Sequence, residues 1–201
     1  MSEITFYHAI PSRGLIVHWM LEEVGAPYRI ERLDMQRKQQ KEPEYLSVNP
    51  LGRVPAIRVD DQVITETAAI CTFLAERYPE SGLEIAKGDP LRGAYLRWLF
   101  FGPATMEPAV LTAATGMSAE GEYEPFSSLD DIASLLANYV RDREFFLADR
   151  MTTVDVVLGS TIHWALDFMP VLPRLPELEA YWTRLSARPA WQRVEATLAE
   201  A

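Results

Sequence analysis

Along the first eighty residues, apolar positions fall in short runs whose period changes from one run to the next. Ile4 to Tyr7 is rich in β-branched and aromatic residues and predicts a strand. From Leu15 to Val24 the apolar positions take helical spacing, at Ile16, Trp19, Met20 and Val24. Gly25 follows where a left-handed cap residue is wanted, and Pro27 blocks continuation. Tyr28 to Leu33 predicts a second strand, and a polar, weakly helical stretch from Gln36 to Leu46 leads into the turn Asn49-Pro50-Leu51-Gly52. Ala56–Val59 and Val63–Thr65 read as a hairpin around Asp60-Asp61-Gln62. Glu66 to Tyr78 is helical by pattern, with Ala69, Ile70, Phe73 and Leu74 on one side, and Pro79 ends it. The order βαβ, loop, ββα predicts a small sheet covered by helices.

Around Glu80 to Pro90 the composition turns to Gly, Pro and charge, which is linker-like. No strand pattern follows. Helices are predicted at Leu91–Thr115, interrupted by Gly102-Pro103 and Pro108, then at Leu129–Leu147 and Thr153–Phe168. Pro170, Pro173 and Pro176 mark a loop before two shorter helices, Glu177–Ser186 and Ala190–Ala199. The expected organisation is an α/β domain over residues 1–80, a linker over 81–88 and an all-helical domain over 89–201.

Composition narrows the function. The chain has 201 residues, 48% of them hydrophobic, enough for a substantial core. Its net charge of −10 opposes nucleic acid and anionic membrane surfaces, although a local basic pocket for a small anion stays possible. A single cysteine, Cys71, forbids an internal disulfide and fits a reducing compartment. Neither a secretory leader nor an apolar run of the roughly 20 residues that span a bilayer is apparent, so a soluble, cytoplasmic protein is expected. Three histidines without clustered Cys or carboxylate partners give no metal site.

Four short segments carry further information. In Tyr7-His8-Ala9-Ile10-Pro11-Ser12-Arg13-Gly14 a strand leaves through a loop into a helix. Ser12 can point its hydroxyl at an anion over the helix N-terminus, and a thiolate qualifies, although such a Ser is usually just a cap. In Arg53-Val54-Pro55-Ala56 a cis Val54–Pro55 bond would turn the Val54 backbone outward to pair with an extended peptide. At Ile64-Thr65-Glu66-Thr67 a strand runs into a helix, where the hydroxyl and free N–H groups suit a carboxylate and Glu66 suits an amine. Taken alone, such a segment is more often plain helix capping. In Met151-Thr152-Thr153-Val154-Asp155-Val156, Thr152 and Asp155 form a structural capping box, with Met151 able to staple against Val156.

Taken in this order, the segments FYHAIPSRGLIVHWMLEEVGAPY, NPLGRVPAI, ITETAAICTFLAERYP, MTTVDVVLGS and RLSARPAWQRV resemble the cytosolic glutathione transferase superfamily over nearly the full length. The resemblance implies a thioredoxin-like N-terminal domain joined to a helical one, with glutathione as co-substrate and no metal. It implies that Ser12 donates a hydrogen bond to the glutathione sulfur. Tyr7 stays open as the donor used in Tyr-type branches, and Arg13 as a cation favouring thiolate. Val54, before Pro55, would pair with the cysteinyl unit, and Glu66 and Thr67 would hold the γ-glutamyl end. The family more often has Ser at the position of Thr67. Arg53, where Lys or Gln is common, would reach the glycyl carboxylate with Lys41 or Gln40.

The absence of a Cys at the start of the first helix disfavours mixed-disulfide chemistry, and Cys71 reads as a core residue. Phe101, Thr105 and Met106 are expected walls of a pocket for a small hydrophobic electrophile, with core packing as their alternative role. The leading expectation is a homodimeric transferase acting by thiolate attack. A glutathione-dependent peroxidase, isomerase or lyase on the same site is an alternative, as is a non-catalytic scaffold of the same fold.

Overall fold

A computed structural model describes residues 3–116 and 127–198. The chain divides into two compact units, one from residues 1–84 with 189–201 and the other from 85–188. In the first unit, strands β1 (Ile4–His8), β2 (Tyr28–Arg32), β3 (Ala56–Val59) and β4 (Gln62–Thr65) form one sheet in the order β2-β1-β3-β4. The β1–β2 pair is parallel, and β1–β3 and β3–β4 are antiparallel. The parallel pair requires a crossover, supplied by α1 (Gly14–Val24). Gly25 ends that helix at φ 64°, the left-handed cap its sequence position called for. Helix α3 (Thr67–Arg77) packs beside α1.

Strand alternation sorts β1 into two faces. Phe6 and His8 face α1, where their rings lie 5.8 and 5.9 Å from that of His18. Tyr7 faces the other way, against Tyr45 of the short helix α2 (Pro43–Leu46), at 5.6 Å between ring centroids. There Tyr45, Val48 and Ala56 make a small core joined by Leu33, Val54 and Val63. The hairpin turn is tighter than its sequence suggests. Gln62 already pairs with Val59, and Asp60 takes φ 54° to close the two-residue loop.

The second unit is helical: α4 (Arg92–Phe101), α5 (Glu107–Thr115), α6 (Leu129–Val140), α7 (Thr153–His163) and α8 (Pro176–Ser186). Gly102–Met106 between α4 and α5 is a π-helical segment, at the break foreseen from Gly102-Pro103. Helix α6 stops at Val140 instead of running to Leu147. The turn after it lays Phe146 on Tyr139, at 4.7 Å and 21°, and against Trp98 at 4.7 Å, so burial of one aromatic ring overrides local helical preference. The capping box at Thr152 and Asp155 starts α7, and Met151 and Val156 are both buried.

The last helix, α9 (Pro189–Leu198), belongs with the first unit rather than with the helical one. Trp191 meets Trp19 of α1 edge-on at 5.3 Å, and Arg193 pairs with Glu22. Ala199, expected at the end of this helix, lies outside the described residues. Among the described residues, no helix is long and apolar enough to cross a membrane.

Candidate functional site

The register places the candidate residues at one end of the sheet. Tyr7, Ala56 and Thr65 form a single row across β1, β3 and β4. Beyond that row the chain continues into the Ser12 turn from β1, back into Val54–Pro55 from β3, and into Glu66–Thr67 from β4. The sheet thus brings together, at the start of two helices, three segments distant in sequence.

Ser12 is partly buried between the cis Ile10–Pro11 bond and α1. It stands one residue before Arg13, the residue that caps the helix. Its Oγ accepts the Gly14 N–H at 3.0 Å, and its carbonyl accepts Leu15 N–H at 3.3 Å. Accepting through oxygen leaves the hydroxyl proton available for a second partner. The amide-positive end of α1 lies alongside.

The Val54–Pro55 bond is cis, and Val54 precedes the first residue of β3 by two positions, outside the ladder. The loop that presents it is tied down. Arg53 carbonyl accepts from Tyr45 hydroxyl at 2.6 Å and from Asn49 Nδ2 at 2.8 Å. Gly52 takes φ 58°, and a Cβ there would lie 2.4 Å from the Gln40 carbonyl oxygen, so only glycine fits. Lys41 Nζ donates to Leu51 carbonyl at 2.8 Å, and the Gln40 Oε1 is buried without a partner. The Arg53 side chain is exposed.

Glu66, the residue before α3, is held at φ 68° and ψ 115°, a backbone conformation costly for a side chain bearing a Cβ. Its carbonyl accepts Ile70 N–H at 2.9 Å while its carboxylate caps nothing. Thr67 follows as the first helical residue, half-buried, at a turn whose first N–H groups have no helical partners.

Tyr7 lies on the sheet face away from α1, where it lines a cleft of about 550 Å³ with Arg29, Glu31 and Arg58. Cys71 is fully buried, and burial pushes its thiol well above the usual range. No group of three or more His, Cys, Asp or Glu suited to a metal occurs among the described residues. In the helical unit, Phe101 is half-buried with its ring 5.1 Å from that of Trp98, Thr105 is half-buried, and Met106 is fully buried.

One residue of this region had no sequence signal. His8 is fully buried beneath the Ser12 turn, and neither ring nitrogen has a hydrogen-bond partner. A lone His inside a strand looks like any core residue, and its contact with Gly14 depends on how α1 lies over the sheet.

Known proteins resemble this chain over most of its length. Residues 2–76 match the glutathione S-transferase N-terminal domain, and residues 104–189 the C-terminal domain. A glutathione S-transferase of Xanthomonas campestris, GST-4.5, is 30% identical over 182 residues, covering 87% of this chain and 88% of its own. Glutathione S-transferase GstA of Escherichia coli O157:H7 is 27% identical over 183 residues, covering 89% and 90%. A solved glutathione transferase homologue from Sulfitobacter, with bound glutathione, superposes with a TM-score of 0.77 at 25% identity, covering 98% and 99%. The chain belongs to the glutathione S-transferase family.

Proposed function

We propose that this protein is a glutathione transferase that binds reduced glutathione at the strand ends of its first unit and delivers the thiolate to a hydrophobic electrophile. The observation that carries the reading is the convergence of the Ser12 turn, Val54–Pro55 and Glu66–Thr67 at one end of the sheet. The relative from Sulfitobacter, which holds glutathione, adds support.

In this reading Ser12 accepts the Gly14 N–H and donates a hydrogen bond to the sulfur, favouring the thiolate left when the thiol proton goes to solvent. A free thiol has a pKa of about 8.5, and a donor beside a helix N-terminus lowers it by about one unit or more. Each unit is worth about 1.4 kcal/mol in favour of the thiolate. The sulfur then forms a bond to the electrophilic carbon, and the leaving group departs with its electron pair. The Val54 backbone pairs with the cysteinyl unit. The Glu66 carboxylate takes the γ-glutamyl amine, while Thr67 and the α3 N-terminus take its carboxylate. Arg53, Gln40 and Lys41 serve the glycyl carboxylate, Lys41 keeping hydrogens to spare beyond its bond to Leu51. Arg13 adds positive charge next to Ser12.

Phe101 and Thr105, both partly exposed, are the electrophile-facing residues of the helical unit, whereas Met106, expected as a third wall, is fully buried and takes the core-packing role instead. The working form is a homodimer in the cytoplasm, where reduced glutathione is supplied.

Ultraviolet difference absorbance of bound glutathione, titrated against pH for the intact protein and Ser12→Ala, tests the assignment. The bound thiol is expected to ionise at least about one unit below its free value, and Ser12→Ala to abolish that shift with a tenfold or greater loss of rate at neutral pH. A shift that survives the substitution moves the role to Arg13 or Tyr7. Failure to bind glutathione refutes the transferase reading.

A further inference from the structure

A buried polar group with no partner calls for an explanation, because its hydrogen-bonding capacity is wasted where water cannot reach it. His8 is such a group, and its surroundings are specific. Its ring stacks on Phe6 of β1 at 4.9 Å and 17°, and faces His18 of α1 at 5.9 Å and the charge of Arg32 on β2. Its Nδ1 edge meets Gly14, the first residue of α1. A Cβ at Gly14 would lie 2.2 Å from His8 Nδ1 and 2.9 Å from Ser12 Oγ.

That Cβ position is occupied by a Gly14 Cα–H, so the hydrogen points at Nδ1. A C–H meets a bare nitrogen lone pair favourably, whereas a protonated Nδ1 would set hydrogen against hydrogen. Gly14 does not take a left-handed φ, so space rather than backbone freedom requires it. Helix propensity alone would favour alanine there. The same residue donates its N–H to Ser12 Oγ at 3.0 Å.

We propose that His8 is a positioning residue for the thiol site: its bare Nδ1, seated against Gly14, sets the height of the first turn of α1 and thereby the Ser12 hydroxyl. The inference rests on the reading of Ser12 as thiol donor. Burial first, then His18 and Arg32, push the imidazole down to about 3, so the ring beneath the turn stays uncharged through the neutral range. An imidazolium there would add a buried cation under an already amide-positive helix end.

The test uses the full-length protein with glutathione as probe. His8→Phe keeps the ring on Phe6 and removes the lone pair; Gly14→Ala forces a methyl group into the same contact. Both variants are expected to bind glutathione within about threefold of the intact protein. Both should raise the bound thiol pKa by about one unit, a tenfold loss of thiolate at neutral pH. If His8 only fills space, His8→Phe titrates like the intact protein, and the proposal is overturned. Ring nitrogen NMR of the intact protein near pH 7 provides a check free of variants that fail to fold. Nδ1 must be the bare nitrogen, and a protonated Nδ1 overturns the proposal. An intact protein that binds glutathione without lowering its thiol pKa removes both readings, whereas a lowered pKa unchanged in both variants removes only the role of His8.

Discussion

Asp155 is fully buried at the start of α7 and accepts from four donors: Phe146 N–H at 2.7 Å, Thr152 N–H at 2.8 Å, Thr152 Oγ1 at 3.0 Å and Tyr181 hydroxyl at 2.8 Å. Asp155→Ala leaves several of these buried donors without an acceptor, and each such orphan costs about 1–3 kcal/mol. A loss of about 3–5 kcal/mol is expected in urea unfolding, against about 1–2 kcal/mol for Thr152→Ala, which removes a cap and one hydrogen bond to Asp155 but leaves the carboxylate its other three donors. Equal midpoint shifts for the two variants would contradict this ranking. The local half of the arrangement was legible, since Thr152 and Asp155 stand at capping-box spacing. The Phe146 amide and the Tyr181 hydroxyl were not, because no pattern links residues nine before and 26 after. Ser12 and Glu66 were readable as candidates for a different reason, each marking a strand-to-helix passage, whereas the contact of His8 with Gly14 arises only in three dimensions.

The interface of β1 with α1 carries two buried imidazoles, and this gives the first unit a distinct acid response. Burial lowers both His8 and His18; Arg32 adds to the effect at each, while Glu22 opposes it at His18. His18 Nε2 lies 2.9 Å from Tyr28 hydroxyl, which in turn donates to Glu22 at 2.5 Å. A histidine with a depressed folded pKa binds more protons when unfolded, so its contribution to stability is complete above about pH 6.5 and is lost as pH falls toward its folded value. His8, lowered to about 3, should add a slope approaching the linkage limit of about 1.4 kcal/mol per pH unit below pH 6.5, and His18 a further slope of the same sign. Denaturant unfolding at several pH values should show stability falling from pH 6.5 to 4.5, with a shallower fall in His18→Phe. A flat profile would mean that these rings are not held neutral. At this scale, element types were mostly legible from period and punctuation, including Gly25 and Pro79 as stops. The misjudged end was fixed from outside, since α6 gives way so that Phe146 can reach Trp98, and the grouping of α9 with the first unit was hidden because Trp19 and Glu22 of α1 meet it only in three dimensions.

For the whole molecule, assembly sets apolar attraction against charge. Leu96 and Phe100, one turn apart on α4, are 39% and 63% exposed, and Leu111 of α5 is 44% exposed. In the first unit Leu51 is 70% exposed at the tip of its loop. Apolar side chains this open are what a second copy would cover, and the proposed homodimer gives them that role. Each copy carries a charge of −10, however, so two copies repel before they touch. Salt screens that repulsion over about 8 Å at physiological strength while leaving burial of Phe100 and Leu111 intact. Association should therefore tighten as salt rises, the reverse of a dimer held by ion pairs. Phe100→Asp should shift the population toward monomer by at least about tenfold in dissociation constant, because it adds a further negative charge where burial was needed. Sedimentation velocity across salt concentrations would read both effects. A chain that stays monomeric at every salt would leave the exposed leucines without a partner copy and remove the homodimer from the proposed function.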